Sequence, residues 1–505
     1  MSPFVRKVRT ASGAMAVQIV EKKAGQRRIL EHLGSAHTEA ELVALLAVAD
    51  RKLHEGQGQL FEADKAPTAA PRPSGGAAVV TANRSELLWT VLADAYDRLG
   101  FDALEDEAFK ALVLARIIEP VSKLDTIRVI DELGIVGPHL STIKRSLARC
   151  VGRDYRALVA GACWAHVSAG GAKPVAMVLY DLTTLYFEVE NEDKLRKVGM
   201  SKERRVDPQI TVGLLVDPSG FPLDVHVFEG NKAETTTLIP VITAFQARHQ
   251  VSDLVVVADA GMLSAANLNA LEDAGFSFIV AARQSKAPAE LEDHFEAHGN
   301  YLADDATFEV TRPMGAGKDR RERRVVWHYS AARARRDQQT LNKQIERAEN
   351  IAAGKAPIGK HRFVKLADSG RDVDWVLVER VRAAAGFKGY VANLDPTTMA
   401  GPAVVAAYRD LWQVEQSFRM AKSDLKARPI FHRTRDAIEA HLTIVFTALA
   451  LARHLQTLTG ISIKKLVQTL RPLRTVTITI AGQQITAPTQ PGPEAQAILD
   501  ALPGH

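Results

Sequence analysis

A chain of 505 residues is too long for one ordinary core, and a composition of 46% apolar and 24% charged residues excludes fibrous, collagenous and wholly disordered classes. Two cysteines, Cys150 and Cys163, exclude a disulfide framework or a four-thiolate zinc site, and read as small buried residues in a reducing compartment. The net charge of +5 is modest but uneven: Arg312 to Lys365 hold 15 Lys/Arg against 5 Asp/Glu, so the rest of the chain is slightly acidic. A basic block on an acidic body suits contact with a phosphate backbone.

Residues 1–60 hold a strand-like run, Ala14 to Val20, and a helical run, Thr38 to Leu53. Met1 to Lys23 has no uninterrupted apolar core, so no signal peptide is expected and the protein is placed in the cytoplasm. Residues 61–82, with Pro67, Pro71, Pro73 and the pair Gly75-Gly76, read as a linker. Residues 83–170 are helix-rich and form a possible DNA-binding domain. In it Ser122 caps a helix that stops at Gly134, and Ser141 is the candidate cap of a second helix carrying Lys144, Arg145 and Arg149. The pair resembles a helix-turn-helix, with Lys144 and Arg145 as candidate DNA contacts.

From residue 171 to 284 the pattern is strand, hairpin, helix, strand, helix, strand. Val175 to Tyr180 and Leu254 to Ala258 are apolar runs ending at Asp181 and Asp259, and Asp217-Pro-Ser-Gly220 is a hairpin turn between two further strands. A mixed sheet flanked by helices fits this order. Residues 285–400 are expected to form an inserted, mainly β domain with strands at Ala306–Val310, Arg324–His328, Trp375–Glu379 and Tyr390–Ala392, plus a basic helix from Ala331 to Ala353. Arg320, Arg321, Arg323 and Arg324 are its candidate DNA contacts. Helical periodicity returns over 401–460, where Leu442 to Ala452 is too short to span a bilayer and reads as a buried helix. Residues 461–505 form a mixed tail.

Cutting and joining phosphodiesters requires about three carboxylates that hold hard cations on oxygen ligands. Asp181 and Asp259, each after an apolar strand, are two candidates. Tyr408, Trp412, Glu415, Arg419 and Lys422 recur at steps of three or four and would share a helix face, offering Glu415 as the third carboxylate and Arg419 and Lys422 as phosphate contacts. Trp327 and Trp375 are read as core residues of the insertion, with base stacking as the alternative.

The run from Tyr408 to Lys422 resembles the Y-x2-R-x3-E-x6-K signature of DDE transposases of the insertion-sequence-four superfamily. Tyr180-Asp-Leu-Thr-Thr-Leu-Tyr-Phe187, Gly230-Asn231 and Val257-Ala-Asp-Ala-Gly-Met-Leu-Ser264 resemble its other blocks, closest to the insertion-sequence-1634 branch. The resemblance implies a ribonuclease H-like α/β catalytic domain interrupted by a mainly β insertion. It also implies an Asp181, Asp259 and Glu415 triad on two Mg²⁺ or Mn²⁺ ions, and contacts from Tyr408 and Lys422 to transposon-end DNA. The signature's Arg position holds Leu411, and Arg419 is the preferred substitute. The expected activity is metal-dependent cleavage and strand transfer at terminal inverted repeats on double-stranded DNA, by a homodimer and without a membrane. The rivals are a nuclease lacking strand transfer and a non-catalytic DNA-binding protein.

Overall fold

A computed structural model describes residues 4–9, 14–23, 26–36, 39–54, 79–169, 176–188, 191–199, 206–233, 236–259, 264–282, 288, 302–357, 361–367, 370–480, 483–488 and 490–504. Most of the expected linker, and Ala260 to Leu263 of one motif block, lie outside them. The chain divides into two compact units, Met1–Gly75 and Gly76–His505.

The first unit is an antiparallel sheet of β1 (Phe4–Arg9), β2 (Met15–Lys23) and β3 (Gln26–Ala36), with β2 central and α1 (Glu39–His54) packed on it. The apolar run expected around residues 14–20 is this central strand, and Ala16, Val17, Ile19 and Val20 are buried.

The second unit opens with β4 (Val79–Arg84) and five helices: α2 (Glu86–Arg98), α3 (Glu107–Ile118), α4 (Lys123–Glu132), α5 (Leu140–Gly152) and α6 (Tyr155–Ser168). Ser122 caps α4 as expected, its Oγ accepting from Asp125 N at 3.2 Å. The cap of α5 is His139 rather than Ser141: its Nδ1 accepts from Ser141 N at 3.3 Å. Buried Asp106 caps α3 through Phe109 N at 3.1 Å. It also accepts from Ser146 Oγ at 3.0 Å, Arg149 Nη2 at 2.7 Å and Tyr155 OH at 3.1 Å. One carboxylate thus ties three helices, and Arg149 is used up in the process. Cys150 and Cys163 are buried free thiols, as composition suggested.

An eight-stranded mixed sheet follows. Its strands are β5 (Ala176–Tyr186), β6 (Gln209–Val216), β7 (Pro222–Glu229), β8 (Leu254–Ala258), β9 (Ser277–Ala281), β10 (Thr307–Met314), β11 (Arg321–Tyr329) and β14 (Phe387–Ala392), interleaved with α7 (Leu238–His249) and α8 (Ala265–Asp273). The spatial order is β10-β11-β14-β9-β8-β5-β6-β7. Strands β5, β8 and β9 run parallel; β5, β6 and β7 form an antiparallel meander.

This order corrects the insertion. Its strands β10, β11 and β14 extend the central sheet, because β14 pairs with β9. What projects is α9 (Ala331–Ala352), a hairpin of β12 (Val364–Ala367) and β13 (Gly370–Val373), and α10 (Trp375–Ala383). These share a small core of Leu341, Ile345, Ala348, Phe363, Val373 and Val378. Residues Trp375–Glu379, expected as a strand, begin a helix capped by Asp374, whose Oδ1 accepts from Leu377 N at 3.1 Å. Short apolar runs do not separate helix from strand, and here the cap decides.

The remaining elements are α11 (Gly401–Arg409), α12 (Trp412–Ser423), α13 (Arg435–Thr459), α14 (Ile463–Leu470), β15 (Thr475–Ile480), β16 (Gln483–Ala487) and α15 (Pro493–Asp500). Helix α13 is long and apolar enough to cross a membrane, but 89% of its most apolar stretch is buried. It packs on α2, α3, α5, α6, α12 and β7, so the early helices and the sheet share one core. The tail returns to the start of the unit, where β15 pairs with β4.

Near the end of α13, Arg453 donates to Gly220 O at 3.1 Å, Gln416 Oε1 at 2.9 Å and Gln413 Oε1 at 2.7 Å. It thereby locks the β6–β7 turn to α12. Gly220 has φ +84°, and a Cβ there would stand 1.9 Å from the Arg453 guanidinium, so only glycine fits.

Asp106→Ala should lower stability by about 3 kcal/mol, since a helix cap is lost and two buried hydroxyls lose their acceptor. A urea midpoint checks this, against Asp97→Ala at an exposed ion pair, which should cost under about 1 kcal/mol. Burial holds His454 down to about 4 and His441 well below its ordinary value. The unfolded chain therefore binds more protons below about pH 6.5, and stability should fall as pH drops from there towards 4. Urea midpoints across that range test the sign.

Candidate active site

The parallel pairing of β5 with β8 runs to Tyr180 opposite Ala258, so Asp181 and Asp259 occupy the next position on neighbouring strands. Asp181 does not end its strand as expected. Strand β5 continues to Tyr186 because β6 goes on pairing with it, with Leu214 opposite Asp181, while β8 stops at Ala258. The aspartate thus sits where one neighbour leaves and the other stays.

By alternation Asp181 shares a face with Thr183 and Leu185. That face looks at α12: Thr183, Leu185, Leu214, Phe418 and Lys422 line one small cavity of about 30 Å³. Lys422 therefore comes to the strand that bears Asp181, beside Thr183 and Leu185.

The helix expected to present Tyr408 through Lys422 on one face is two helices. A tight turn at Asp410-Leu411 separates α11 from α12, with Leu411 N bonded to Tyr408 O at 3.1 Å and Val414 N to Leu411 O at 3.1 Å. Helix α11 covers β8, β9, β10, β11 and β14, whereas α12 covers β5 and β6. The break thus lies above the junction of the two aspartate strands, with Tyr408 on one side and Glu415 on the other. Leu411, in the signature's Arg position, packs on the core.

Tyr408 is buried, and its hydroxyl donates to Asp259 Oδ1 at 2.9 Å. Burial, then the charge of Asp259, pushes its phenol far above the usual range. The Lys388 ammonium lies 4.2 Å from the Tyr408 ring centroid and 5.6 Å from that of Tyr390. Burial and then Arg333 lower the Lys388 pKa, while Asp259 opposes them. Lys388 was not singled out from sequence. Its signal is a lone cation in the apolar strand Phe387-Lys-Gly-Tyr-Val-Ala392, two residues from Tyr390 and so on the same face.

Glu415 and Arg419 are exposed on α12, one turn apart. Glu415 lies on the helix that covers β5, seven residues before Lys422, but among the described residues no group of three carboxylates, histidines or cysteines converges to hold a metal ion. The neighbouring pair Asp181 and Asp259 supplies the hard oxygen donors that Mg²⁺ or Mn²⁺ prefers. The residues present fit a cation at the pair, and the third ligand position is not assembled.

Three arginines of the basic block serve the fold. Arg321 pairs with Glu272 at 3.0 Å and Asp273 at 2.8 Å, and Arg323, buried, with Glu272 at 2.8 Å. Arg324 pairs with Glu309 at 2.9 Å and donates to Met399 O at 2.7 Å. They lie on β11, inside the sheet, where α8 and β10 bring acids to them. Arg320 is exposed, as are Lys144 and Arg145 on α5. Trp327 is buried with Arg312 over its ring at 5.4 Å, whereas Trp375 is 46% exposed at the start of α10. Gly230 of the second block lies so close to its neighbours that a Cβ would stand 2.0 Å from Gln209 O.

A family model described as the transposase DDE domain matches residues 181–451, more than half of the chain, from Asp181 to the middle of α13. The chain belongs to this family of DDE transposases, enzymes that act on DNA. A cryo-EM structure of the piggyBac transposase synaptic complex with hairpin DNA is similar over 77% of this chain and 70% of that chain, at 10% identity and a TM-score of 0.34, too loose a likeness to carry an argument. No curated protein matches.

Tyr408→Phe keeps the buried ring and removes only the hydroxyl bonded to Asp259. It should lower stability by about 2 kcal/mol, as a hydrogen bond to a charged group does, with far-UV circular dichroism unchanged. A stability equal to wild type would show that this bond contributes nothing.

Proposed function

We propose that the protein cleaves DNA at the terminal inverted repeats of an insertion sequence and joins the freed 3′-ends to target DNA, in a divalent-metal-dependent reaction in the cytoplasm. The observation that carries the reading is the placement of Asp181 and Asp259 at adjacent positions of two parallel strands, within a DDE domain match that begins at Asp181. The core order β7-β6-β5-β8-β9, an antiparallel meander followed by two strands parallel to its third, supports the ribonuclease H-like reading of that domain.

DDE transposases use divalent metal ions, and the family resemblance assigns two Mg²⁺ or Mn²⁺ ions to Asp181, Asp259 and Glu415. Such ions supply activation of the attacking hydroxyl and stabilisation of the leaving oxygen. The protein's own part is positional. Tyr408 orients Asp259 through its hydroxyl. Lys388 places a cation on the Asp259 side of the pair, beside the Tyr408 ring. Glu415, on the helix that covers β5, is the third member that the resemblance assigns. Lys422 and Arg419 then meet the phosphates of the DNA end, with Arg320, Lys144 and Arg145 as outlying contacts. Two ends must be held for joining, so a homodimer is the working unit.

Asp181→Ala and Asp259→Ala should each abolish Mg²⁺-dependent cleavage of a duplex carrying the element's end while leaving its binding within a few-fold of wild type. Glu415→Gln should do the same if the third carboxylate is correctly assigned, and full cleavage by that variant would remove Glu415 from the triad. A product assay with a second duplex separates transposase from nuclease, since only strand transfer links the labelled 3′-end to new DNA.

A further inference from the structure

Away from the acid pair, α3, α4, α5 and α13 close around a cleft of about 30 Å³ lined by Arg116, Glu119, Lys123, Thr126, His432 and His441. Two cations, Arg116 and Lys123, face into it. Arg116 Nη2 reaches His441 Nδ1 at 3.3 Å, and Lys123 Nζ reaches His432 Nδ1 at 3.4 Å. The His441 Nε2 donates to Ala427 O at 3.1 Å, so its Nδ1 is the acceptor for Arg116 and the ring is neutral. Among the described residues neither Arg116 nor Lys123 makes an ion pair. The one carboxylate in the lining, Glu119, is occupied by Arg128 at 2.5 Å and Arg471 at 2.7 Å. Burial lowers the pKa of both cations, and the charge of Lys144 adds to the effect on Lys123.

A guanidinium and an ammonium that share a cleft without an ion pair of their own among the described residues are held there at an electrostatic cost, which an anion would offset. The size narrows the anion. The interior space of about 30 Å³ holds a group of water-like size, so only a small anionic group can reach the two cations. The non-bridging oxygens of a phosphodiester are such a group.

The surroundings favour a phosphate that belongs to DNA. His432 lies in the segment joining α12 to α13, which also carries Lys426, Arg428 and Arg433, with Phe431 75% exposed among them. That segment is docked on the strand of Asp181: Ile430 N donates to Tyr186 O at 3.1 Å, and Arg428 stands over the Tyr186 ring at 5.5 Å. On the other side of the cleft, exposed Lys144 and Arg145 continue the basic surface along α5. A track of cations with an exposed aromatic thus runs from the catalytic strand, past the cleft, to the helix-turn-helix-like pair.

We propose that Arg116, Lys123 and His432 bind one backbone phosphodiester of the DNA, holding the duplex between the catalytic strand β5 and helix α5. The proposal rests on the DNA-acting reading for its ligand, but not on catalysis. Its Arg116 and Lys123 contacts are bidentate and point-charge contacts respectively, and His432 closes the third side.

Binding of the full-length protein to a fluorescein-labelled duplex, measured in EDTA across a salt series, tests it. Lys123→Gln should weaken binding several-fold and reduce the slope of log K against log salt by about 1, the loss of one phosphate contact, with His432→Gln giving a smaller weakening. Arg116→Met should give the largest loss. Should that buried variant fold poorly, the two other variants carry the test. A slope unchanged in both Lys123→Gln and His432→Gln overturns the proposal. A second arm uses inorganic phosphate: a rise in melting temperature that Lys123→Gln removes, with the DNA slope unchanged, would make this a free-phosphate site and also overturn the assignment to DNA. The binding assay contains no metal, so failure of the wild type to cleave in the separate Mg²⁺ assay would sink the proposed reaction without touching this result.

Discussion

The pairing of β5 with β8 is the constraint on which the site depends. Two strands far apart in the chain are brought side by side and parallel, so their registers place two aspartates next to each other on a fully buried frame. Strand β8 is apolar and buried throughout, and β5 buries Val178, Leu179, Tyr180, Leu182 and Leu185, so packing on both faces holds the pair inside the sheet. The carboxylates then lie at the point where β8 stops and the sheet opens. The chemistry of the pair is set by a backbone that cannot drift.

Around this frame the protein uses its charges in two different ways. Several arginines, including three of the candidate nucleic-acid contacts, are structural. Arg149 closes the Asp106 hub, Arg321, Arg323 and Arg324 knit β11 to its neighbours, and Arg453 locks the β6–β7 turn to α12. Other cations gather beside Asp259, where Lys388 stands over the Tyr408 ring, and in the cleft of Arg116 and Lys123. A basic block read by composition does not distinguish these uses, since an arginine in an ion pair and one awaiting a phosphate contribute the same formal charge.

The division between α11 and α12 gives the site a built-in asymmetry. Tyr408 is bonded to Asp259, whereas Glu415, beyond the turn, is exposed on a helix anchored by Ser417 and Arg453 to the β6–β7 turn. The Tyr408 hydroxyl holds one side of the site, and the third acid is carried by a separately anchored helix beyond the turn.

Local pattern alone determined a good deal about this protein. The strands β6 and β8, the hairpin at Asp217 to Gly220, the cap at Ser122, the helix α9 and the two aspartates at an edge of apolar strands were legible because each depends on neighbours in sequence: apolar runs, turn chemistry and side-chain caps. Tertiary structure decided the rest. It decided that β10, β11 and β14 join the main sheet, that Trp375 begins a helix, that the helix of Glu415 is broken at Asp410-Leu411, and that Lys388 stands beside Asp259. Each of these turns on a partner more than a hundred residues away or on a local choice between near-equal conformations, and sequence periodicity carries no record of which distant strand, acid or helix will be there to meet it.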